Sequence, residues 1–394
     1  MPWKETDAMD QRKKFILEAF DNKKSFTELC ADFGICTKTG YKWKKRFMQG
    51  GMPALKEQSR RPLNAGRPLS EDVVLDIIRF KNMNTAWGSR KIYDLFMKNY
   101  PERKPPARSS IERVLRKSGF EAKKRRRRSH ASQRIQNRFK PSKPNDLWTV
   151  DFKGWWYTHD KERVNPLTVR DEYSKFILSI QVVENADIFS VKPEFERLFR
   201  RYGIPRCIRT DNGPPFANVF NALGLTKLSV WWMALGITLD RIDPGCPYQN
   251  GGHERMHLDM KRELEGKIFG DLHDHQVVFD EWREQFNHER PHQALHGKCP
   301  AAVYHKSEIK YEPFAEELSY PKGFKIRKVN DRGVLNFRGG RYFIGNPFAG
   351  YFVGICFKDD ATPEVWFGSQ LLGSLDIAGG LINYSSALRL SKAS

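Results

Sequence analysis

The stretch QNGGHERMHLDMKRE, Gln249 to Glu263, holds two candidate chemistries within fifteen residues. HERMH, His253 to His257, fits the H-E-x-x-H pattern, in which two histidines one helical turn apart bind zinc and the glutamate activates water. Alternatively, Glu254 is a lone carboxylate in the first turn of a helix opened by QNGG, with the histidines as bystanders. Two aspartates favour the second reading. Asp151 lies inside LWTVDFKGWWY, a strand-like alternation from Leu147 to Tyr157, and Asp211 ends the short apolar strand in RCIRTDNGPPF. A carboxylate within a strand is disfavoured by propensity and by burial, so Asp151 needs a reason. Three convergent carboxylates require a cation, since like charges otherwise repel. Hard oxygen donors select Mg²⁺ or Mn²⁺ over zinc, and two such ions in one site perform in-line displacement at phosphorus. A zinc protease needs a third ligand and has no use for Asp151 or Asp211.

The elements that must position these residues can be read around them. NPLTVRDEYSKFILSIQVV reads as two strands joined at DEYSK, followed by a helix from about Asp187 to Tyr202 and then the strand ending at Asp211. A helix, a strand at ITLDRID, the loop PGCPYQNGG and a long helix from about Gly252 complete the unit. A meander followed by alternating helix and strand predicts a mixed sheet with helices on its faces.

The remaining sequence points to a polyanion. The net charge is +21, and residues 1–140 carry 35 Lys and Arg against 15 Asp and Glu, which leaves the rest nearly neutral. Six consecutive bases, Lys123, Lys124, Arg125, Arg126, Arg127 and Arg128, close that region, and such a field favours nucleic acid. In SFTELCADFGICTKTGYKWKKRF, Ser25 and Glu28 form a capping box and Gly34 a tight turn. The next helix carries Lys38, Thr39, Tyr41, Lys42, Lys44, Lys45 and Arg46, with Trp43 and Phe47 turned inward. Helix, glycine turn and basic helix make a helix-turn-helix whose second helix would enter the major groove of double-stranded DNA. Residues 51–69 read as a Gly, Pro and Arg-rich linker, whose Arg60 and Arg61 could reach a minor groove. Three further helical patterns over 70–120, the third capped by Ser109 or Ser110, suggest a second helix-turn-helix, winged or plain. Residues 121–145 read as a basic linker.

VDF at Asp151, TDNGPPF at Asp211 and PYQNGGHER at Glu254 resemble the three catalytic blocks of DDE transposases, in the branch with a retroviral-integrase-type core. FNHERPHQALHGKCPAAVY, Phe286 to Tyr304, resembles the segment closing that core in insertion-sequence transposases. GICTKTGYKW, QSRRPLNAGRP and AWGSRKIYDLF also resemble that group, so the likeness spans residue 1 to about 305. It implies an RNase H-like α/β core with a mixed sheet over 146–305, behind all-α helix-turn-helix domains at 1–50 and 70–120. It also implies that Asp151, Asp211 and Glu254 hold two Mg²⁺ or Mn²⁺ ions, and that homo-oligomers act on paired element ends and on target DNA. There are departures. Asp211 and Glu254 stand 43 positions apart, wider than is usual in that group, with the extra length expected in NALGLTKLSVWW. Position 36 is Cys where Ser is common, so Thr37 is expected to cap the recognition helix.

From Tyr320, short strands broken by turns predict a small all-β barrel over 320–382, with Gly339-Gly340 as a hairpin signal. Six scattered cysteines without a C-x-x-C pair fit reduced thiols. No apolar run spans a membrane, and MPWKETDAMD has no apolar stretch behind it, so a bacterial cytoplasmic, nucleoid-associated location is expected. The transposase reading stands against a DNA-binding regulator that has lost catalysis, and against the zinc protease.

Overall fold

The computed structural model describes residues 7–57, 68–120, 139–154, 156–158, 161–183, 185–218, 222–243, 245–264, 268, 270–313, 318–357, 362–376 and 381–384. Arg60, Arg61 and the run Lys123 to Arg128 lie outside them, as does any wing after residue 120. Contacts divide the chain into two compact units, Met1–Pro68 and Leu69–Ser394.

The first unit is a three-helix bundle of α1 (Ala8–Asp21), α2 (Phe26–Asp32) and α3 (Thr37–Gly50). The Ser25–Glu28 capping box is formed, each side chain bonding the other residue's backbone amide. Phe15, Ile16, Leu29 and Trp43 make the core. Gly40 is required where α3 crosses its neighbours, because a Cβ there would collide with Cys30 Sγ and the Phe15 ring. Thr37 is not the cap of α3. Cys36 occupies the cap position without a capping bond, its Sγ lying 3.2 Å from Thr39 Oγ1. The segment after α3, expected as linker, begins folded: Leu55 is fully buried, its carbonyl accepts from Arg12 Nη1 at 3.0 Å, and Arg12 also pairs with Glu57.

The second unit opens with α4 (Glu71–Met83), α5 (Ser89–Asn99) and α6 (Arg108–Lys117), joined by Ile77, Phe96 and Ile111. Neither Ser109 nor Ser110 caps α6, which starts one residue earlier behind Ala107. Then come β1 (Trp148–Phe152), β2 (Trp156–Tyr157), β3 (Arg163–Val164), β4 (Pro166–Asp171) and β5 (Ile177–Val182). They are followed by α7 (Ile188–Tyr202), β6 (Cys207–Thr210), α8 (Lys227–Ala234), β7 (Thr238–Arg241), α9 (Gly251–Leu264) and α10 (Leu272–His288). The single strand expected over 147–157 is two, broken at Gly154, whose φ of 80° no strand residue adopts.

The expected mixed sheet is present, in order β5-β4-β1-β6-β7. Its β5, β4 and β1 run antiparallel, while β1, β6 and β7 run parallel. Alternation assigns the faces. Trp148, Val150, Leu167, Val169 and Ile208 pack with α7 and α8, including Phe195, Phe199 and Trp232. The other side of the sheet carries α9 and α10, where Met256, Met260, Phe279, Trp282 and Phe286 cover Ile177 and Ile180.

The core extends past the boundaries read from sequence. Asn145, assigned to the basic linker, is buried, bonding the His305 carbonyl and accepting from Trp148 Nε1 and Tyr304. Ile204 pairs with Ile309 downstream of residue 305.

After this core come β8 (Lys325–Lys328), β9 (Val334–Phe337), β10 (Gly340–Phe343), β11 (Phe352–Phe357), β12 (Pro363–Phe367), β13 (Gln370–Asp376) and β14 (Leu381–Tyr384). They form a five-stranded antiparallel sheet, β14-β13-β12-β11-β8, and a separate β9-β10 hairpin. Among the described residues no pairing joins β14 to β8, so the expected barrel is an open sheet plus a hairpin. It reaches Tyr384, two residues beyond the expected end. The hairpin turns at Arg338-Gly339, both with positive φ, rather than at Gly339-Gly340, because Gly340 already pairs with Phe337. Leu223, Leu225, Val230 and Met233, from the widened interval before Glu254, pack against this β unit.

No helix among the described residues is long and apolar enough to cross a membrane.

The RPH segment locks α9 from behind. Arg290 bonds Asp259 at 2.7 Å and Glu263 at 2.8 Å, both on α9. Trp87 lies between Arg290, 5.9 Å from its ring centroid, and Lys91, at 5.7 Å. Removing one partner of a buried ion network leaves the others uncompensated, so Arg290→Ala should destabilise the second unit by about 3–5 kcal/mol in urea unfolding. A change below about 1 kcal/mol would show that the network is dispensable.

Candidate functional site

Asp151 is the fourth residue of β1, on the face opposite Trp148 and Val150. The parallel register pairs Trp148 with Ile208 and Thr149 with Arg209, so its continuation sets Asp151 beside Asp211, just past β6. Alternation turns both carboxylates toward α9. Asp211 is fixed by the tight turn after it, with the Gly213 amide donating to its Oδ1 at 3.2 Å. Asn212 anchors the same turn on the Ile242 carbonyl.

The carboxyl of Asp151 is pushed up to about 7, first by burial, then by Asp211, with Glu254 adding in the same sense. Asp211 is also raised by burial, against the pull of the Gly213 amide. Other buried aspartates of this core are treated differently. Asp171 accepts from Ser174 N, Ser174 Oγ and Asn145 N; Asp146 accepts from Ser142 N, Ser142 Oγ and Lys143 N. These are satisfied structural carboxylates. Asp151 is served less fully: the Phe152 amide and the charge of Lys153 favour its carboxylate, but burial and Asp211 outweigh them.

Glu254 sits in the first turn of α9, on its exposed side. The start of that helix is clamped to the sheet by Arg170 of β4. Its Nη1 donates to the Gly252 carbonyl at 2.6 Å and its Nη2 pairs with Glu172. Only glycine fits at 252, since a Cβ would strike the Arg170 guanidinium. One turn beyond Glu254, His257 Nε2 lies 2.8 Å from Thr168 Oγ1, and that hydroxyl donates to the Asp151 carbonyl, also at 2.8 Å. His257 Nδ1 is 4.0 Å from Asp151 Oδ2. Burial pushes His257 down to about 3, with Lys153 and Arg170 acting in the same direction. His253 is wholly buried and packs edge-on against His257.

Among the described residues, no three His, Cys, Asp or Glu side chains already surround one point. The arrangement is a pair of hard oxygen donors, Asp151 and Asp211, with Glu254 on the exposed side of α9, and not a closed cage. Its chemistry fits Mg²⁺ or Mn²⁺, which accept carboxylate and water oxygens and need few protein ligands. It does not fit the zinc reading of HERMH, because His253 is sealed inside the protein and His257 Nε2 is committed to Thr168.

Of the basic residues read from sequence, Lys38, Tyr41, Lys42 and Lys45 are exposed along one side of α3. Lys44 leans over the Phe20 and Phe26 rings and Arg46 over Trp43, both half-buried, and Thr39 is spent on Cys36. Sequence reasoning missed Arg170, Thr168 and the role of His257. Their one signal was the polar residues alternating with Leu167 and Val169 in a strand read only for its apolar content.

Three family models match this chain: an integrase core domain over residues 141–247, a second integrase core domain over 235–300, and a homeodomain-like domain over 8–56. The insertion element IS407 uncharacterized 31.7 kDa protein of Burkholderia multivorans is 30% identical over 211 residues, covering 53% of this chain and 73% of its own. The insertion element IS476 uncharacterized 39.2 kDa protein of Xanthomonas euvesicatoria is 26% identical over 238 residues, 60% of this chain and 65% of its own. Among solved structures, the HTLV-2 integrase catalytic core domain in complex with magnesium is matched at a TM-score of 0.31 and 15% identity, over 42% of this chain and 97% of that one. The Mos1 strand transfer complex is matched at 0.34 and 12%, over 76% and 96%. With an insertion-element relative at this identity and coverage, an integrase core around Asp151 and Asp211 and a homeodomain-like helix-turn-helix in front, the chain belongs to the insertion-sequence transposases of the DDE type.

Proposed function

We propose that Asp151, Asp211 and Glu254 are the catalytic carboxylates of this transposase and hold two Mg²⁺ or Mn²⁺ ions between them. The reading rests on one observation: two half-buried carboxylates stand beside each other, Asp151 on β1 and Asp211 just past the parallel β6, with Asp151 held near 7 first by burial and then by Asp211. When bound, the ions would supply Lewis-acid activation and charge neutralisation at a DNA phosphate. Asp151 and Asp211 would bind them from the sheet and Glu254 from α9. The reaction is in-line displacement: water attacks a phosphodiester at the element end and the 3′-oxygen leaves as a hydroxyl, which then attacks a target phosphate. No covalent enzyme intermediate is needed.

DNA would be gripped by the exposed side of α3. Lys38, Tyr41, Lys42 and Lys45 project from one face, as a recognition helix requires, and would contact the terminal inverted repeats. Paired ends imply a homo-oligomer.

Three measurements test this. Glu254→Gln should abolish nicking of an oligonucleotide carrying the element end while leaving its mobility shift unchanged; retained nicking would refute the site. The raised pKa of Asp151 has a stability consequence of definite sign. The folded carboxyl keeps its proton up to about 7 while the unfolded one releases it near the ordinary value, so stability present at acidic pH is lost as pH rises through that window. In a chelator, wild type should therefore melt lower at pH 8 than at pH 5, and Asp151→Asn should melt higher than wild type at pH 8. Equal melting temperatures would remove the charge-deficit account. Finally, replacing Lys38, Lys42 and Lys45 by Ala should flatten the salt dependence of end binding, by about 0.9 in log–log slope for each DNA phosphate that is no longer neutralised.

A further inference from the structure

His257 has a hydrogen-bond arrangement that the established family assignment does not use. Thr168 stands directly opposite Asp151 in the β1–β4 register, and its one hydroxyl proton goes to the Asp151 carbonyl. The same oxygen must then accept at its second contact, so His257 Nε2 is the donor there. This fixes the tautomer. In the neutral ring Nδ1 carries a bare lone pair, and that atom is 4.0 Å from Asp151 Oδ2. Acceptor faces acceptor, an arrangement that a neighbouring cation relieves; Lys153 is close enough to act on both groups, and a bound ion would act more directly. His257 is also three residues after Glu254, one turn along the same helix, so whatever fixes His257 fixes the approach of Glu254 to the sheet.

We propose that His257 is a positioning residue of the ion site: anchored through Nε2–H on Thr168, it ties the helix of Glu254 to the strand of Asp151 and presents Nδ1 as an acceptor next to the Asp151 carboxylate. The Thr168 hydroxyl is the hinge pin of this tie, touching strand and helix at once. This rests on the assignment of Asp151 as an ion ligand. It gives the HERMH motif a role, with its second histidine supporting an oxygen-donor site instead of ligating zinc. Partners that orient ligands from behind typically cost 10–100-fold in metal affinity or activity when removed, which sets the expected size.

The test is Mn²⁺ binding to the full chain without DNA, followed by electron paramagnetic resonance of free Mn²⁺. Thr168→Val should weaken binding by about 10–100-fold, while Thr168→Ser, which keeps the hydroxyl, should stay near wild type. His257→Ala should match Thr168→Val, and the double variant should be no weaker than either alone, because both remove one tie. Nitrogen-15 shifts should show His257 Nδ1 unprotonated in wild type and the tautomer preference lost in Thr168→Val. A Thr168→Val variant that binds Mn²⁺ like wild type, or a wild-type ring protonated on Nδ1, would overturn the proposal. If His257→Ala does not fold, the two Thr168 variants decide it. Asp151→Asn separates the two assignments: Mn²⁺ affinity unchanged in that variant means the ion is not at Asp151 and the proposed site fails, whereas affinity lost there but kept in Thr168→Val sinks only the role of His257.

Discussion

The candidate site depends on one constraint: two acidic side chains, Asp151 on β1 and Asp211 just past the parallel β6, are held beside each other in a largely desolvated place. A folded chain avoids such a pair unless the scaffold is stiff enough to impose it and something later balances it. Here the stiffness comes from both faces of the sheet. Fully buried Trp148, Val150, Leu167 and Val169 pin β1 and β4 from one side, and the helices around Phe279 and Trp282 cover the other. The contrast with Asp146 and Asp171 shows that donors are not scarce in this core. Ser142, Ser174 and Asn145 supply three donors to each of those two carboxylates with the help of the Lys143 amide, whereas the Phe152 amide and the charge of Lys153 are outweighed at Asp151. A carboxylate left undersupplied beside another is costly as structure and becomes sensible as a ligand pair.

Glu254 poses the opposite problem, since it belongs to a helix and not to the sheet, and helices move more easily than strands. Three ties hold α9. Arg170 clamps its first turn through the Gly252 carbonyl, Thr168 takes His257 one turn later, and Arg290 grips Asp259 and Glu263 further along. The last tie is backed by Trp87, from the helical module of α4 to α6. That module and the core are also bonded directly: Lys98 donates to the His288 carbonyl, and Gln285 donates to Asn84. The segment read as a second DNA-binding domain thus packs against residues that support α9.

Much of this was legible in the sequence for identifiable reasons. The strand alternation around Asp151, the apolar strand ending at Asp211 and the glycine-led helix of Glu254 are local patterns, and local patterns survive translation into structure. The capping box at Ser25 did too. What failed depended on partners remote along the chain or on a single backbone angle. Gly154 splits one expected strand in two; Gly340 is consumed by pairing, so the hairpin turns one residue earlier; the C-terminal strands make an open sheet because closure is decided by pairing between its ends. The clamps on α9 were invisible for the same reason. Nothing beside Arg170 or Arg290 in the sequence marks their partners, which lie 82 residues from Arg170 and 27 from Arg290.

The widened interval between Asp211 and Glu254 also finds its explanation in packing. The added length leaves the sheet after the Asp211 turn and returns through β7 before α9 begins, so the pairing of β1 with β6 is kept. In between, Leu225, Val230 and Met233 form the floor on which the C-terminal β unit rests, against Val353, Ile355 and Phe367. An insertion at this point can thus recruit a whole appended sheet without moving a carboxylate. Its two ends are fixed, at one side by the Asn212 bond to Ile242 and at the other by the Arg170 clamp on Gly252. Spacing in sequence is free to vary here because the distance that matters is set across strands and not along the chain.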